Sequence, residues 1–220
     1  MNRRFALLAG SAALLGGGYA VLGRGGVEPG VTFGSAAAQE AAPDTSRVVE
    51  MTLGDPNAPV TVIEYASFTC PHCKAFHDGA FGDLKANYID TGKVHFIYRE
   101  VYFDRFGLWA AMVARCGGPE RYFGISDLLY EQQRDWLADG DPATIADNLR
   151  KIGRTAGLTD EQVDACLQDR GMAEAMVAVY QENAERDGVD STPSFLINGK
   201  KHSNMSYADF AAILDEELAG

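Results

Sequence analysis

The first half of the chain has the apolar pattern of a strand, a helix and a second strand. Residues 48–53 read as a short strand. Residues 60–68 are rich in β-branched and aromatic residues and are interrupted only by the charge of Glu64, which predicts a buried strand. A helix is predicted to start at Pro71, which suits a first helical turn, and to run to about residue 89. Residues 94–98 give the next strand, and the two strands around this helix are expected to be parallel.

Helical periodicity then extends from residue 105 to residue 187. Asp141 can cap a helix within this block that Gly157 ends, and Gly171 and Gly188 are further expected helix ends. The block is therefore predicted to contain helices alone.

Strand pattern returns at residues 194–197, and Asn198-Gly199 is a strong signal for a two-residue hairpin turn into a strand at 200–202. A last helix is predicted over residues 207–218. The sequence thus predicts one α/β layer structure that is interrupted by a helical insertion of about 80 residues.

Residues 1–38 are typical of an export leader. Arg3 and Arg4 precede an uncharged apolar stretch at 5–22, and small residues before Gln39 offer a cleavage site. We expect a signal peptide or an uncleaved N-terminal anchor followed by a linker, and both the Sec and the Tat routes stay open. The folded part is accordingly predicted to be extracytoplasmic, in the periplasm.

The amino-acid composition excludes some classes of function. The 220 residues are 46% hydrophobic, which is enough for an ordinary core, so four cysteines are not needed as a folding scaffold. A net charge of -12 argues against a nucleic-acid partner, because phosphate binding needs a concentrated basic face.

Residues 64–73 read Glu-Tyr-Ala-Ser-Phe-Thr-Cys-Pro-His-Cys, and Thr192-Pro193 opens the strand after the helical block. With these motifs the chain resembles the DsbA family, whose members have a thioredoxin fold with an inserted helical domain. The resemblance implies three segments, namely a first thioredoxin part at 45–104, the insertion at 105–187 and a second thioredoxin part at 188–220.

The same resemblance implies a thiol:disulfide oxidoreductase that forms disulfide bonds in exported proteins. Its implied partners are reduced or unfolded protein substrates and a quinone-linked membrane reoxidase similar to DsbB. No cofactor site is visible in the sequence, and the protein is expected to be a monomer.

Cys70 and Cys73 are the predicted redox pair. At a helix start, the unpaired N–H groups and the helix dipole favour the thiolate of Cys70, whereas Cys73 lies about one turn further and is expected to be more buried. Pro71 helps to set the turn, and His72 adds a donor and, when protonated, a positive charge near Cys70. Because a stabilised thiolate favours the reduced pair, these features predict an oxidising disulfide.

Glu64 lies on the strand that leads to the motif, where its charge is unexpected. Desolvation is expected to keep it partly neutral, and it is a candidate for proton exchange with Cys73 through water. The alternative is a glutamate that faces solvent or pairs with Lys93.

Thr192 and Pro193 are predicted to bind substrate. By resemblance, the bond between them is a cis peptide in a loop that faces the motif and pairs with an extended substrate segment. The alternative is an ordinary proline at the start of a strand.

Cys116 and Cys166 both lie in the helical block, and a structural disulfide between them is our preferred interpretation for an oxidising compartment. Two separate buried thiols are the alternative. Aromatic residues near the motif are expected to be mostly core, with one or two lining an apolar groove for clients; they are Tyr65, Phe68, Phe76 and Phe81.

Two further functions stay open from the sequence. One is a reductase or isomerase with the same fold. The other is a metal-binding or chaperone module in which Cys70, Cys73, His72 and His77 hold zinc or copper, although no second ligand pair follows at the spacing of a zinc finger. We therefore expect no metal.

Overall fold

Five strands form one mixed sheet in the described part of this computed structural model, which comprises residues 42–138 and 140–220. The strands are β1 Met51–Leu53, β2 Val60–Ala66, β3 Val94–Glu100, β4 Ser194–Ile197 and β5 Lys200–Ser203. Their order in the sheet is β1-β3-β2-β4-β5. β2 and β3 are parallel and the other neighbours are antiparallel, so β2, which leads to the redox motif, is central.

Helices lie in three stretches of the described chain. Between β2 and β3 come α1 Pro71–Asp78, α2 Ala80–Leu84 and a π-helical turn at Lys85–Ile89. Between β3 and β4 come α3 Arg105–Cys116, α4 Pro119–Glu131, α5 Gln133–Leu137, α6 Pro142–Thr155, α7 Asp160–Leu167 and α8 Arg170–Asp187. After β5 comes α9 Tyr207–Ala219, and Thr45–Arg47 forms a 3-10 turn before β1. The predicted thioredoxin fold with a helical insertion is confirmed.

Aromatic packing holds α1 against the sheet. The ring of Phe76 on α1 lies 4.8 Å from that of Phe195 on β4, which in turn lies 5.0 Å from Phe210 on α9. All three side chains are buried. Because each buried aromatic ring removes a large apolar area from water, this contact fixes the helix that carries the redox motif.

A buried ion pair joins the inserted helices to the sheet. Arg115 on α3 donates to both carboxylate oxygens of Glu100 on β3, at 2.7 and 2.6 Å, and the hydroxyl of Tyr122 on α4 donates to the same carboxylate. Removing one partner would leave an uncompensated buried charge, which costs about 3–5 kcal/mol. The insertion is thus fixed close to the end of β3.

Several predicted boundaries need correction. The first helix reaches residue 89 but is broken at Gly79, whose φ of -127° and ψ of -95° are not helical. The first strand is shorter than predicted and starts at Met51. Gly171 does not end a helix, because the Asp169 side chain accepts the backbone N–H of Met172 and places Gly171 in the first turn of α8.

Other local signals predict the structure well. Asn198 and Gly199 have φ values of 47° and 80°, as a tight hairpin turn between β4 and β5 requires. Gly188 ends α8 in the left-handed conformation. No helix in the described residues has the length and apolar character needed to cross a bilayer. The predicted leader, residues 1–38, lies outside the described residues.

Candidate active site

Cys70 lies where the central strand turns into α1. After Ala66 the chain leaves β2, and the N–H of Cys70 donates to the carbonyl of Ser67 at 3.1 Å, which closes a tight turn. Cys70 is the N-cap residue of α1 and Pro71 occupies its first turn. The thiol is half-buried and therefore accessible to a partner at the positive end of the helix dipole.

Cys73 lies three residues further, on the inner face of the same helix. It is a free thiol, as Cys70 is, but it is fully buried. The two thiols therefore differ in access although they are almost adjacent in sequence. Only the sulfur of Cys70 can be attacked from outside.

Hydrogen bonds lower the pKa of Cys70 to about 5. The largest contribution is the hydrogen bond from the Cys73 thiol, and the Thr192 side chain and the backbone N–H groups of Cys73 and His72 add to it. Partial burial opposes these effects without cancelling them. Cys70 is thus a thiolate at neutral pH, which is the nucleophilic form and a good leaving group.

The pKa of Cys73 changes in the opposite direction. Burial raises it most, and the hydrogen bond to Cys70 and the charge of Glu64 raise it further. Cys73 is therefore a neutral thiol across the physiological pH range. The reduced pair holds a single negative charge, on the accessible sulfur.

Thr192 and Pro193 face the redox pair. The peptide bond between them is cis, and the Sγ of Cys70 lies 3.6 Å from the carbonyl oxygen of Thr192, which accepts from the thiol form. The Thr192 hydroxyl is buried and has no hydrogen-bond partner among the residues that the structure describes. It is thus available as a donor when Cys70 is ionised.

Glu64 does not face solvent or pair with Lys93. Its side chain is 0% exposed, and its Oε2 lies 3.1 Å from Nε2 of His77, whose side chain is 4% exposed. The charge of Glu64 also helps to raise the pKa of Cys73, after burial and the hydrogen bond to Cys70.

His77 is a site residue that the sequence analysis considered only as a metal ligand. Its ring stacks on Tyr130 of α4, with centroids 4.2 Å apart. The spacing of four residues between Cys73 and His77 places both on one helix face, which is a usable signal. The pairing with Glu64 has no comparable signal, because it joins a helix to a strand.

The helical insertion contributes two further residues that the sequence analysis missed. The Gln133 side-chain amide donates to the carbonyls of Phe68 and Cys70, at 2.8 and 3.0 Å. The Tyr130 hydroxyl donates to the carbonyl of Ser67 at 3.3 Å. These hydrogen bonds fix the turn that carries Cys70. No local sequence motif predicts them.

His72 and Pro71 are exposed at the helix start. His72 lowers the pKa of Cys70 through its backbone N–H. Within residues 42–138 and 140–220, no group of three or more His, Cys, Asp or Glu side chains is arranged to hold a metal ion.

The expected aromatic groove does not include the residues named for it. Tyr65, Phe68, Phe76 and Phe81 are all buried in the core. The large exposed apolar side chains of the described residues are instead Val49 and Phe103, at 49% and 59%. Phe103 precedes Asp104, whose carboxylate accepts from the Thr69 hydroxyl at 2.8 Å, so it lies close to the redox turn.

A second cysteine pair lies in the helical insertion. Cys116 and Cys166 form a disulfide with a Cα–Cα distance of 5.9 Å and a sequence separation of 50. It joins the end of α3 to α7.

The fold and the asymmetric cysteine pair define the class of thioredoxin-like dithiol–disulfide proteins. The chain belongs to the thioredoxin family, whose model matches residues 46–216, and within it to the DsbA-like proteins that the motif residues resemble. The predicted resemblance is confirmed.

Named relatives agree with this assignment. A "putative protein-disulfide oxidoreductase" of Rickettsia bellii is 32% identical over 170 residues, which cover 77% of this chain and 64% of that protein. "Disulfide bond formation protein D" of Bacillus subtilis is 27% identical, over 76% of this chain and 77% of that protein. The crystal structure of Wolbachia pipientis alpha-DsbA1 has a TM-score of 0.71 and 28% identity, and the match covers 80% of this chain and 96% of that one. The chain therefore spans less than two thirds of the length of the Rickettsia relative.

Proposed function

We propose that this chain is an extracytoplasmic, DsbA-like protein disulfide oxidase. It forms disulfide bonds in exported proteins by dithiol–disulfide exchange through Cys70 and Cys73. The observation that carries the proposal is the pKa of Cys70, which is lowered to about 5 next to a buried thiol whose pKa is raised. The names of the relatives, which refer to disulfide oxidoreduction and disulfide bond formation, support it.

The direction of electron flow follows from the thiolate. Every contact that stabilises the Cys70 anion stabilises the reduced form of the pair and leaves the disulfide form without that benefit. A disulfide whose reduced form is stabilised is a strong oxidant. The pair is therefore suited to taking electrons from client thiols.

The cycle balances atoms and electrons. A client thiolate attacks the Sγ of Cys70 in the oxidised enzyme, so that a mixed disulfide forms and Cys73 leaves with the electron pair of the broken bond. A second client thiolate then attacks the client sulfur of the mixed disulfide and releases Cys70 as a thiolate. The client gains one disulfide, and the enzyme keeps two electrons. Of the two protons that the client thiols release on ionising, one is taken up by Cys73 and the other passes to the solvent.

Thr192 and Pro193 are the proposed substrate-binding residues. The carbonyl of Thr192 lies beside Cys70, where the backbone of an extended client segment can pair with the loop. Backbone pairing demands little of the client sequence, which suits an enzyme with many substrates. Pro71 and His72 shape the exposed rim of the same site.

The location and partners belong to this proposal. An export leader at residues 1–38, cleaved or kept as an anchor, would deliver domain segments 45–104, 105–187 and 188–220 to the periplasm. There the clients are reduced exported proteins, and a quinone-linked, DsbB-like membrane protein would restore the Cys70–Cys73 disulfide. The enzyme would act as a monomer.

Refolding of a reduced, disulfide-containing protein tests the proposal. The oxidised wild type should restore client activity stoichiometrically, the Cys70→Ser variant should be inert, and the Cys73→Ser variant should accumulate covalent client adducts. The redox potential measured against glutathione should be far more oxidising than that of thioredoxin, which is about -270 mV. A potential as low as that of thioredoxin would instead assign a reductase.

A further inference from the structure

The backbone carbonyl groups of the redox turn, residues 67–70, are held by a side chain of the helical insertion. The Gln133 amide nitrogen donates to the carbonyls of Phe68 and Cys70, at 2.8 and 3.0 Å. Gln133 is 4% exposed and Phe68 is 1% exposed. Because water cannot readily replace a donor at a buried carbonyl, the conformation of the turn depends on this amide.

A lysine of the redox helix makes the reverse contact. Lys74 on α1 donates from Nζ to the carbonyls of Tyr130 and Glu131, at 2.8 and 3.3 Å. These residues end α4, where carbonyl groups lack donors within the helix. Gln133 follows at the start of α5. Donors therefore cross in both directions between the redox helix and the junction of α4 and α5, which fixes Gln133 against the redox turn.

Cys70 is the residue whose backbone this contact restrains. As the N-cap of α1 it has extended backbone angles, with φ of -81° and ψ of 121°. Its carbonyl accepts from the N–H of Lys74 at 3.1 Å as well as from Gln133, so the direction of the carbonyl is fixed. The same peptide unit leads into the first turn of α1, where the N–H groups of His72 and Cys73 form hydrogen bonds to the Cys70 sulfur.

The contact matters differently in the two redox states. In the oxidised form, the Cys70–Cys73 bond itself keeps both sulfurs at the helix start. In the reduced form both cysteines are free, so non-covalent contacts alone keep the Cys70 thiolate against its donors. A group that restrains the turn therefore stabilises the reduced form more than the disulfide form. Such a group makes the disulfide more oxidising.

We infer that Gln133 is a positioning residue of the exchange reaction: from the helical insertion it holds the carbonyls of Phe68 and Cys70, so that the Cys70 thiolate stays against the first N–H groups of α1. Lys74 supports the same contact from the redox helix. The inference rests on the proposed dithiol–disulfide exchange and deepens it, because it gives the insertion a part in setting the oxidising strength of the pair.

The equilibrium between the protein's disulfide and glutathione tests the inference. In this reaction two glutathione thiols reduce the cysteine pair and leave as one glutathione disulfide. Gln133→Met keeps the length of the side chain and removes both donors. We expect its equilibrium constant for oxidising glutathione to fall about 5-fold below that of wild type, as loss of one ordinary hydrogen bond from the reduced form would cause. The pKa of Cys70, followed by absorbance at 240 nm, should rise in the same variant.

Asn148→Leu is the matched control. Asn148 on α6 also donates from a side-chain amide to two carbonyls, those of Asp135 and Trp136 in α5, at 3.3 and 3.5 Å. Neither carbonyl belongs to the redox turn. This variant should lower thermal stability, as Gln133→Met does, but keep the wild-type equilibrium constant and Cys70 pKa. An equal fall in both variants would show a general loosening of the insertion and would overturn the inference.

Gln133→Asn keeps the test decisive if Gln133→Met does not fold. The shorter side chain retains an amide but cannot reach both carbonyls, so its equilibrium constant should fall by about 2-fold. A wild-type equilibrium constant in either folded variant, or a fall that the Cys70 pKa does not follow, would contradict the role of Gln133.

The result for the proposed function stays separate. A wild-type potential as low as that of thioredoxin would overturn the oxidase proposal, whereas the ratio of equilibrium constants between Gln133→Met and wild type would still decide this inference. A strongly oxidising wild type that its Gln133 variants equal would overturn the inference alone.

Discussion

The two cysteine pairs of this protein have opposite roles: one is placed to exchange a disulfide with other molecules, and the other forms a disulfide that links two helices. Cys70 and Cys73 lie within one turn of α1, both free, and one of them is accessible. Cys116 and Cys166 are 50 positions apart in sequence and are joined in a disulfide between α3 and α7. The first pair is therefore open to exchange with a partner, whereas the second restrains the fold by closing a loop of 50 residues.

The surroundings of the sulfurs explain the difference. The hydrogen bond from the Cys73 thiol does most to lower the pKa of Cys70 to about 5, and the Thr192 side chain and the N–H groups of the first turn of α1 add to it. The Sγ of Cys116 lies 3.3 Å from the carbonyl oxygen of Gln162, whose negative end would repel a thiolate. The environment therefore stabilises a thiolate at Cys70 and disfavours one at Cys116.

The first prediction, with the largest expected effect, concerns how much each cysteine pair contributes to client oxidation. Cys70→Ser should lower client oxidation by at least about 10³-fold, since the nucleophile is lost. The Cys116→Ala/Cys166→Ala double variant should keep activity within about 3-fold at a temperature where it is folded. The rate of refolding of a reduced client measures both.

Two outcomes of this experiment would break the comparison. Residual activity in Cys70→Ser that needs Cys116 or Cys166 would show that the second pair exchanges electrons. A folded double variant without activity would show that the second disulfide takes part in the chemistry.

The fold was largely predictable because its signals are local. Asn198-Gly199 requires left-handed backbone, Pro71 suits a first helical turn, and residues 105–187 have helical periodicity throughout. The break at Gly79 was not predictable, since glycine tolerates a helix interior and only packing decides whether the chain bends there. The order of the strands in the sheet was not predicted, because it depends on contacts between segments that are far apart in sequence.

The site was predictable only in part. Only two residues separate Cys70 from Cys73, so the redox pair can be predicted from a local motif. Gln133 reaches the carbonyl of Cys70 across 63 positions, and His77 reaches Glu64 across 13. Contacts of this kind depend on how separate elements pack, and a single sequence has no period or spacing that encodes them.

The second prediction concerns stability. Removing the Cys116–Cys166 disulfide in the double alanine variant should lower the free energy of unfolding by about 4 kcal/mol, because a loop of 50 residues is no longer restrained in the unfolded chain. Urea unfolding measures the change.

The matched control for this prediction is Cys70→Ser/Cys73→Ser. Compared with the oxidised wild type, which has no thiolate at Cys70, it removes the same number of sulfurs from a much shorter loop. A loss equal to that of the double alanine variant would contradict the assigned division between a redox pair and a structural pair.

The third prediction is a pH dependence confined to the first pair. The pKa of Cys70 is lowered from about 8.5 in the unfolded chain to about 5 in the folded one. A lowered pKa stabilises the folded state fully above the unfolded value, and the stabilisation is lost as the pH falls through 5. The free energy of unfolding of the reduced wild type should therefore rise relative to that of reduced Cys70→Ser between about pH 5 and 8.5.

The oxidised form is the control for this prediction. It has no thiol at this position and should show no such rise. A difference that does not change with pH for the reduced form would remove the basis of the oxidising potential.

The fourth prediction, with the smallest expected effects, compares how much two neighbouring groups lower the pKa of Cys70. Thr192→Val removes a hydroxyl that contributes to the low pKa of Cys70 and should raise that pKa measurably, whereas His72→Ala leaves the backbone N–H in place and should change it less. Both sites accept the new side chain without a cavity, so thermal unfolding should change little and serves as the control for intact structure. Absorbance at 240 nm gives each midpoint directly. A larger rise for His72→Ala than for Thr192→Val would mean that the exposed imidazole stabilises the thiolate through its charge. The N–H groups at the start of α1 would then explain less of the difference between Cys70 and Cys116.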